Sequence, residues 1–382
     1  MPISYGASAY RHATRLTFFT LGFTMAAWAP LVAYAKQRLD LDDGAFGSLL
    51  LCIGLGSLLA MPFAGRLAQA LGLRKVMQLA GIAFSASLVA LALIESPWAF
   101  ALTLLVFGAC LGVGDICMNL HAALVEKAAD TPLMSGFHGV FSVGAFAGAA
   151  GVTALLKQGL TPWQAALCAA LLALALLGLA YRYQIPRLDA LDDARFQWPK
   201  GVVVVLSVLA FIALLVEGAM LDWSALYLND VHDVDLASAG IAYSLFTLAM
   251  ACVRLVGDRL AHGLGDTRLL VGGALLALMG LVMAQTLPLA GALMGFVLAG
   301  LGLANAVPVL FRAALRQKRM AAASSLSAVA TLGYLGILLG PGFIGHLAQW
   351  SSLHGAFWAL AGALGVVVTL GRAAVTLDHS AA

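Results

Sequence analysis

The sequence predicts an all-α integral membrane protein with twelve transmembrane helices in two pseudo-symmetric six-helix bundles. Three observations carry this prediction: an apolar composition, twelve apolar stretches of membrane-spanning length, and an internal repeat. Hydrophobic residues make up 62% of the 382 residues, charged residues make up only 10%, and the mean hydropathy is +0.96. Because soluble domains carry about 25% charged residues, this chain is expected to be solvated by membrane lipids.

The composition also argues against several other classes of protein. The formal net charge of +3 is too small to indicate a nucleic-acid partner. All five cysteines lie in apolar stretches and none is spaced as a metal ligand, so no disulfide, metal or cofactor is expected. The first apolar stretch spans a bilayer and lacks a small-residue cleavage site after it, so no cleavable signal peptide is predicted.

Twelve apolar stretches are bounded by charged residues, Pro or Gly. A bilayer core about 30 Å thick is crossed by about 20 helical residues, and stretches this long are typical of helices rather than barrel strands. The predicted spans, numbered 1 to 12, are 14–35, 44–65, 76–94, 98–122, 134–156, 162–181, 201–228, 238–256, 269–287, 289–311, 324–347 and 353–371.

The basic residues predict the orientation of these spans. With the N-terminus in the cytoplasm, 18 Lys and Arg residues fall on the cytoplasmic side and 3 on the outer side. The positive-inside rule therefore predicts that both termini are cytoplasmic, in a multi-pass protein of a bacterial inner membrane.

An internal repeat relates the two halves of the chain. The loop after span 2, Arg66-Leu-Ala-Gln-Ala-Leu-Gly72, matches the loop after span 8, Arg259-Leu-Ala-His-Gly-Leu-Gly265, at an offset of 193 residues. Three further matches lie at offsets of 190 to 195: Asp115 with Asn305, Gly144 with Gly336, and Trp28 with Trp223. An even number of spans gives both halves the same orientation. The predicted organisation is an N-terminal bundle at 1–180, a cytoplasmic linker at 181–200 and a C-terminal bundle at 201–382.

Over essentially the whole chain these residues resemble the major facilitator superfamily. Gly65, Gly72, Arg74 and Lys75 fit its signature between spans 2 and 3, although Gln69 stands where the family has an acid. The resemblance implies a monomeric transporter that works by alternating access, with a cytoplasmic charge lock that the second half carries in place of the first, at Gly257-Asp258-Arg259 with Arg254 one turn earlier. The candidate gating residues are Arg74, Lys75, His138, Arg254, Asp258 and Arg259.

Longer strings resemble the YbjJ-like branch of that superfamily and, more distantly, fucose-permease-type sugar:proton symporters. They include Asp115-Ile-Cys-Met-Asn119, Gly136-Phe-His138 and Glu217-Gly-Ala-Met-Leu-Asp222-Trp223. Two departures matter for function. Span 1 lacks the acid of the fucose-type pattern, and span 5 lacks the Gly-Pro motif of drug:proton antiporters.

Three acidic residues inside the spans are candidates for proton coupling: Asp115, Glu217 and Asp222. A charged side chain is costly inside a membrane and usually lines a polar path. Because desolvation disfavours the charged form, an acid that moves between dry and wet surroundings couples proton binding to solute movement. The alternative is a carboxyl group that only ties helices together, and Asp222 also fits an outer gate.

The candidate solute-binding residues are amides and aromatic rings: Trp28, Asn119, Trp223, Asn305 and Tyr334. Amides suit hydroxyl or carboxylate groups, and aromatic rings stack on sugar faces. The alternatives are interhelical hydrogen bonding for the amides and an interfacial aromatic belt for the tryptophans. Arg254 suits either an anionic solute or an ion pair with Asp258. His138 is either a gate residue or an ordinary interfacial histidine.

The sequence therefore predicts a secondary transporter whose partners are a small solute, protons and membrane lipids. Proton-coupled symport of a polar metabolite such as a sugar is favoured by the acids in spans 4 and 7. The alternative is a proton-driven exporter of amphipathic or drug-like compounds. A membrane enzyme is disfavoured because catalytic and nucleotide-binding motifs are missing. A sensor built on the same scaffold remains open.

Overall fold

A computed structural model of the protein describes residues 8–131, 133–187 and 197–376, with the side chains of Asp258 and Ala323 outside that description. Within these ranges every regular element is helical, and twelve helices are long and apolar enough to cross a membrane. The predicted fold class, an all-α membrane protein with twelve transmembrane helices, is confirmed.

The spans of the first half are Ser8–Leu39, Asp43–Leu71, Leu73–Leu93, Pro97–Ala129, Met134–Lys157 and Pro162–Tyr181. The spans of the second half are Val202–His232, Leu236–Gly257, Asp266–Thr286, Leu289–Arg316, Ser324–Trp350 and Leu353–Val375. Three helices extend beyond these limits. The helices of spans 8, 11 and 12 run over Ile241–Leu264, Ala322–Trp350 and Leu353–Thr376. A single turn, Leu236–Ala239, precedes the span 8 helix.

Local chemistry fixes several helix ends. Span 6 begins at Pro162 behind a capping box in which Thr161 and Gln164 exchange hydrogen bonds between side chain and backbone. At the start of span 5, the Glu126 carboxylate accepts hydrogen bonds from the backbone N–H groups of Leu133 and Met134, at 2.6 and 2.7 Å. These partners satisfy N–H groups that a helix cannot pair internally.

The repeat is visible in the backbone as well as in the sequence. Spans 1 and 7 both end at an aspartate in the left-handed conformation, Asp40 with φ 51° and Asp233 with φ 54°. Spans 3 and 9 both begin after a glycine with positive φ, Gly72 at 94° and Gly265 at 78°. Each pair is 193 residues apart. Because glycine adopts positive φ at little cost, the repeated loops retain it at this position.

Close helix crossings give spans 1 and 7 a different register from the one predicted. A Cβ added at Gly144 would collide with the carbonyl of Phe19, and one added at Gly336 would collide with the carbonyl of Phe211. The two glycines are 192 residues apart, and so are the two phenylalanines that they contact. At the crossing, the predicted offset of 195, which pairs Trp28 with Trp223, is therefore wrong. A glycine in contact with a neighbouring backbone fixes the alignment of the two halves, whereas a short match of similar residues can be shifted by one helical turn.

Proline accompanies an interruption of the helix in spans 1 and 10. In span 1 the helix Ser8–Ala27 gives way to a 3₁₀ turn over Ala29–Leu31, which contains Pro30. Span 10 consists of two helices, Leu289–Leu303 and Ala306–Arg316, with Pro308 near the start of the second. Span 11 runs as one helix through Pro341. Each proline lacks an N–H group, so the carbonyl four residues earlier loses its helical donor.

Contacts divide the chain into two units, each built from more than one segment. One unit comprises Met1–Asp42, Leu49–Leu191 and Val234–Ser244, and the other comprises Asp43–Ser48, Asp192–Asp233 and Leu245–Ala382. The exchanged segments are the starts of spans 2 and 8. Residues 188–196 of the predicted linker lie outside the described residues.

Candidate solute and proton site

An ion pair lies inside the membrane-spanning helices of the second unit. One terminal nitrogen of Arg254, in span 8, is 3.3 Å from each carboxylate oxygen of Glu217, in span 7. The two side chains are only 20% and 21% exposed. A charge at this depth is costly unless an opposite charge compensates it, so each residue depends on the other. The sequence predicted Glu217 as a proton-coupling residue but not its pairing with Arg254.

The break in span 10 supplies a third member of this cluster. Because Pro308 has no N–H group, the carbonyl of Ala304, four residues earlier, loses its helical donor. The Nε–H group of Arg254 donates to that carbonyl instead, at 3.2 Å. The guanidinium therefore lies between span 7 and the interruption in span 10. Its Nε–H group donates to Ala304, and one terminal nitrogen donates to Glu217.

Asn305 lies at the same interruption with an unused donor. Its side chain is 93% buried, being 7% exposed, and its Nδ2 has no hydrogen-bond partner among the described residues. A Cβ added at Gly257 would lie 2.5 Å from Asn305 Oδ1, so the amide packs directly on the span 8 backbone. Gly257 is three residues after Arg254 and shares its helix face. Buried amide donors are almost always satisfied, so an unpaired one calls for an explanation.

In the first unit, the predicted acid of span 4 has a neutral neighbour. Asn119 Nδ2 donates to the Asp115 backbone carbonyl at 2.9 Å and to Asp115 Oδ1 at 3.3 Å. Both residues are partly exposed. The structure thus brings together two residues that were predicted separately, one for proton coupling and one for solute binding.

The remaining predicted site residues differ sharply in exposure. Asp222 is 4% exposed and has an interacting partner. Trp28 packs against Phe100, and Trp223 packs edge-to-face on Phe46; both tryptophan rings are fully buried. Neither ring is open to a solute in this conformation, and the burial of Trp223 does not fit an interfacial belt. Tyr334, by contrast, is 37% exposed.

The predicted gating residues divide into those with defined partners and those on the surface. Arg74 donates twice to the backbone carbonyl of Gln184, at 2.8 and 2.5 Å, and lies over the ring of Tyr181 at 5.1 Å. His138 is exposed and packs edge-to-face on Phe18. Lys75 and Arg259 are also exposed. The side chain of Asp258 lies outside the described residues, so its predicted bond to Arg254 does too.

Sequence reasoning missed an ionic cluster at one end of the second unit. Asp266 Oδ1 accepts from Arg312 at 2.7 Å, and Asp266 Oδ2 accepts from Arg316 at 2.9 Å. These residues line a cavity of about 310 Å³ with Ala261, His262 and Gly265. The signal was present, because Asp266 directly follows the repeated Gly265 and two arginines end span 10 one turn apart. Among the described residues, no group of three His, Cys, Asp or Glu is placed to bind a metal.

Comparison with known proteins gives concordant results. The sequence profile of the Major Facilitator Superfamily matches residues 16–332. An uncharacterized MFS-type transporter of Yersinia pestis is 44% identical over 362 residues, which cover 94% of each chain. The membrane protein MosC of Rhizobium meliloti is 30% identical over 365 residues, covering 93% of this chain and 88% of MosC.

Solved structures show the same fold at low sequence identity. A variant of the nucleoside transporter NupG matches with a TM-score of 0.78 at 13% identity, over 95% of this chain and 99% of NupG. A D-xylose-proton symporter matches with a TM-score of 0.72 at 14% identity, over 95% of this chain and 96% of the symporter.

Proposed function

Because the chain belongs to the major facilitator superfamily, and is therefore a multi-pass membrane transporter and not an enzyme, we propose that it is a proton-coupled symporter of a small polar solute. The observation that carries this proposal is the Glu217–Arg254 pair inside spans 7 and 8. A carboxylate bound to a guanidinium within the membrane changes its partner when it gains a proton. Proton binding and helix contacts are thereby linked at a single place.

The coupling step follows from the contacts of Glu217. While Glu217 is ionised, it neutralises Arg254 and holds span 7 to span 8. A proton on Glu217 removes this attraction and weakens the contact between spans 7 and 8. Solute binding next to Arg254 favours the protonated state, and proton release restores the pair and expels the solute. Reciprocity of this kind is required whenever two ligands change each other's affinity.

Asp115 is proposed as a second proton site of smaller effect. Its described partner is the neutral amide of Asn119, so a proton on Asp115 frees no buried cation. Asp222 is proposed as a structural acid of span 7, in keeping with its burial. The proposal further includes a monomer of the YbjJ-like branch, in a bacterial inner membrane, with both termini in the cytoplasm. Alternating access carries the solute.

The test measures proton movement in proteoliposomes that contain the purified full-length protein and a pH-sensitive dye. The solutes are D-xylose, D-glucose, myo-inositol, uridine, D-gluconate and D-glucuronate, each added to one side. At least one of them is expected to carry protons with it in the wild type. In Glu217→Gln this proton movement is expected to be lost, and in Asp115→Asn it is expected to fall less.

The matched control is Glu95→Gln, which removes an exposed acid between spans 3 and 4. This variant is expected to behave as the wild type. Proton movement opposite to the solute supports an exporter instead and overturns symport. An unchanged signal in Glu217→Gln, or no proton movement with any of the six solutes, overturns the coupling assignment.

A further inference from the structure

The ionic cavity at one end of the second unit is lined by Asp266, Arg312 and Arg316. We propose that this cavity binds a phosphate group, supplied by the headgroup of an anionic phospholipid in the adjacent leaflet. The site is separate from the Glu217–Arg254 pair and does not depend on the proposed function. Three observations support it: unequal charge, guanidinium donors that Asp266 leaves unused, and exposed apolar side chains beside the cavity.

The charges around the cavity do not balance. Among the described residues that line it, Asp266 is the one acid, whereas Arg312 and Arg316 bring two positive charges. Asp266 Oδ1 accepts from Nε and Nη2 of Arg312, at 3.1 and 2.7 Å, and Oδ2 accepts from Nη1 of Arg316 at 2.9 Å. One carboxylate therefore faces two guanidinium groups, and a net positive charge remains even while His262 is neutral. A second anion in the cavity would neutralise this charge.

Both arginines retain donors for that second anion. A guanidinium group presents N–H donors on three nitrogens in a planar fork, and this arrangement matches the oxygens of a phosphate. Within the described part of the chain, Arg316 uses Nη1 alone, and Arg312 leaves its own Nη1 unused. Because both side chains bind the same carboxylate, the two guanidinium groups lie next to each other. A single phosphate can therefore accept from both.

The cavity is open and of the size of a headgroup. Its volume of about 310 Å³ lies at the lower end of the range of about 300–1,000 Å³ that is usual for small-molecule pockets. Ala261 and Gly265 contribute little side-chain volume to its wall. A Cβ added at Gly265 would meet no atom within 4 Å, so the space beside the start of span 9 is accessible.

Apolar side chains beside the cavity favour a lipid over a soluble anion. Leu264 ends the helix of span 8, Leu315 directly precedes Arg316, and both leucines are exposed. In a membrane protein, exposed leucines next to exposed basic groups suit the boundary between acyl chains and headgroups. The proposed topology puts this end on the cytoplasmic side, where basic pockets between transmembrane helices bind anionic headgroups.

The repeat argues against a requirement of this cluster for folding. At the position that corresponds to Asp266, 193 residues earlier, stands Leu73. The neighbouring Arg74 binds the backbone carbonyl of Gln184 instead of an acid. The helix of span 3 therefore begins without an ionic cluster of this kind, and the one at span 9 calls for another explanation.

The test measures the binding of phosphatidylglycerol and phosphatidylcholine with identical acyl chains to the purified full-length protein in detergent micelles. Native mass spectrometry resolves the lipid-free and lipid-bound protein and gives an apparent Kd for the first lipid. Phosphatidylglycerol is expected to bind about fivefold more tightly, because its headgroup carries a net negative charge. Its Kd is expected to weaken about fivefold in Arg316→Gln and about twenty-five-fold in Arg312→Gln/Arg316→Gln.

The matched control is Arg268→Gln, which removes a positive charge from an exposed residue two positions after Asp266. Arg268 does not line the cavity, so this variant is expected to bind phosphatidylglycerol within about twofold of the wild type. Arg316→Gln retains the ion pair of Asp266 with Arg312 and keeps the test decisive if the double variant does not fold. A second series adds sn-glycerol 3-phosphate as a competitor, which is expected to leave the bound lipid in place.

The outcomes separate the phosphate site from its lipid. Equal affinity for the two lipids overturns the site, as does phosphatidylglycerol binding that is unchanged in the arginine variants. A loss in Arg268→Gln as large as that in Arg316→Gln also overturns it, because the attraction then belongs to the whole basic surface. Displacement of phosphatidylglycerol by an equal concentration of sn-glycerol 3-phosphate keeps the phosphate site and overturns the lipid as its source.

Discussion

The two halves of the chain share a repeat but differ in what they carry inside the membrane. In the second half Glu217 and Arg254 form an ion pair. At the same places in the first half, 192 and 193 residues earlier, stand Met25 and Met61, both partly exposed. Two uncharged, flexible side chains thus occupy positions where the other half holds two charges.

This difference indicates that the repeated bundle folds without an ion pair at these positions. Replacing a buried pair by apolar residues of similar size is often neutral for stability, so the pair is weak evidence for a structural role. The second half also interrupts span 10 next to the pair, while span 4 of the first half runs as one helix from Pro97 to Ala129. The ion pair and the interruption of span 10, which the second half adds to the shared scaffold, are therefore better explained by function than by folding.

The largest expected effect comes from giving the second half the methionines of the first. Glu217→Met removes the carboxylate from this buried pair and is expected to lower the free energy of unfolding by about 3 kcal/mol. The double variant Glu217→Met/Arg254→Met removes both charges and is expected to recover to within about 1 kcal/mol of the wild type while losing transport. The measurement is chemical unfolding in detergent micelles. A double variant no more stable than the single one contradicts the comparison.

The sequence was sufficient for the fold and for the individual polar residues. Span length and charge asymmetry are averaged over many residues, so twelve helices were predicted from the apolar stretches alone. Glu217, Asp115 and Asn119 were recognised because acids and amides are rare inside apolar stretches. These inferences require no knowledge of which residues are in contact.

Pairing was harder to predict because it depends on helix geometry. Arg254 and Asp258 are one turn apart, so a local bond was the natural expectation, whereas Glu217 is 37 residues away in sequence. The consequence of Pro308 for Ala304 and Arg254 depends on the position of span 8, which the sequence does not give. Likewise, the pairing of Trp28 with Trp223 relied on letter matches, and only the glycine crossings of spans 5 and 11 fixed the register.

A second prediction concerns the glycine that seats Asn305. At the corresponding position, 193 residues earlier, the first half has Ala64. Gly257→Ala places a methyl group 2.5 Å from Asn305 Oδ1 and is expected to cost about 2 kcal/mol of unfolding free energy through overpacking. The control Gly263→Ala, in the same helix with no neighbouring atom within 4 Å, is expected to cost nothing. If both variants behave alike, the amide does not depend on this contact.

A third prediction concerns the starts of spans 3 and 9, which correspond to each other in the repeat. In the first half Arg74 binds the neutral carbonyl of Gln184, after span 6. Arg74→Gln is expected to lower the free energy of unfolding by about 1.5 kcal/mol, the usual contribution of hydrogen bonds from a charged donor. Because the acceptor carries no net charge, this loss is expected to be nearly the same in 0.1 M and 1 M sodium chloride. Lys75→Gln, at the exposed neighbouring residue, serves as the control.

The smallest expected effect is at Asp266, which binds Arg312 and Arg316 in the second half. Arg316 is 68% exposed, so water and salt weaken this cluster, and Asp266→Asn is expected to cost about 1 kcal/mol at low salt. At 1 M salt the screening length is about 3 Å, and most of this loss is expected to disappear. Unfolding of Asp266→Asn and Arg74→Gln at both salt concentrations measures the contrast directly. An equal salt dependence in the two variants contradicts the distinction between an ionic end and a neutral one, because only interactions between full charges are screened in this way.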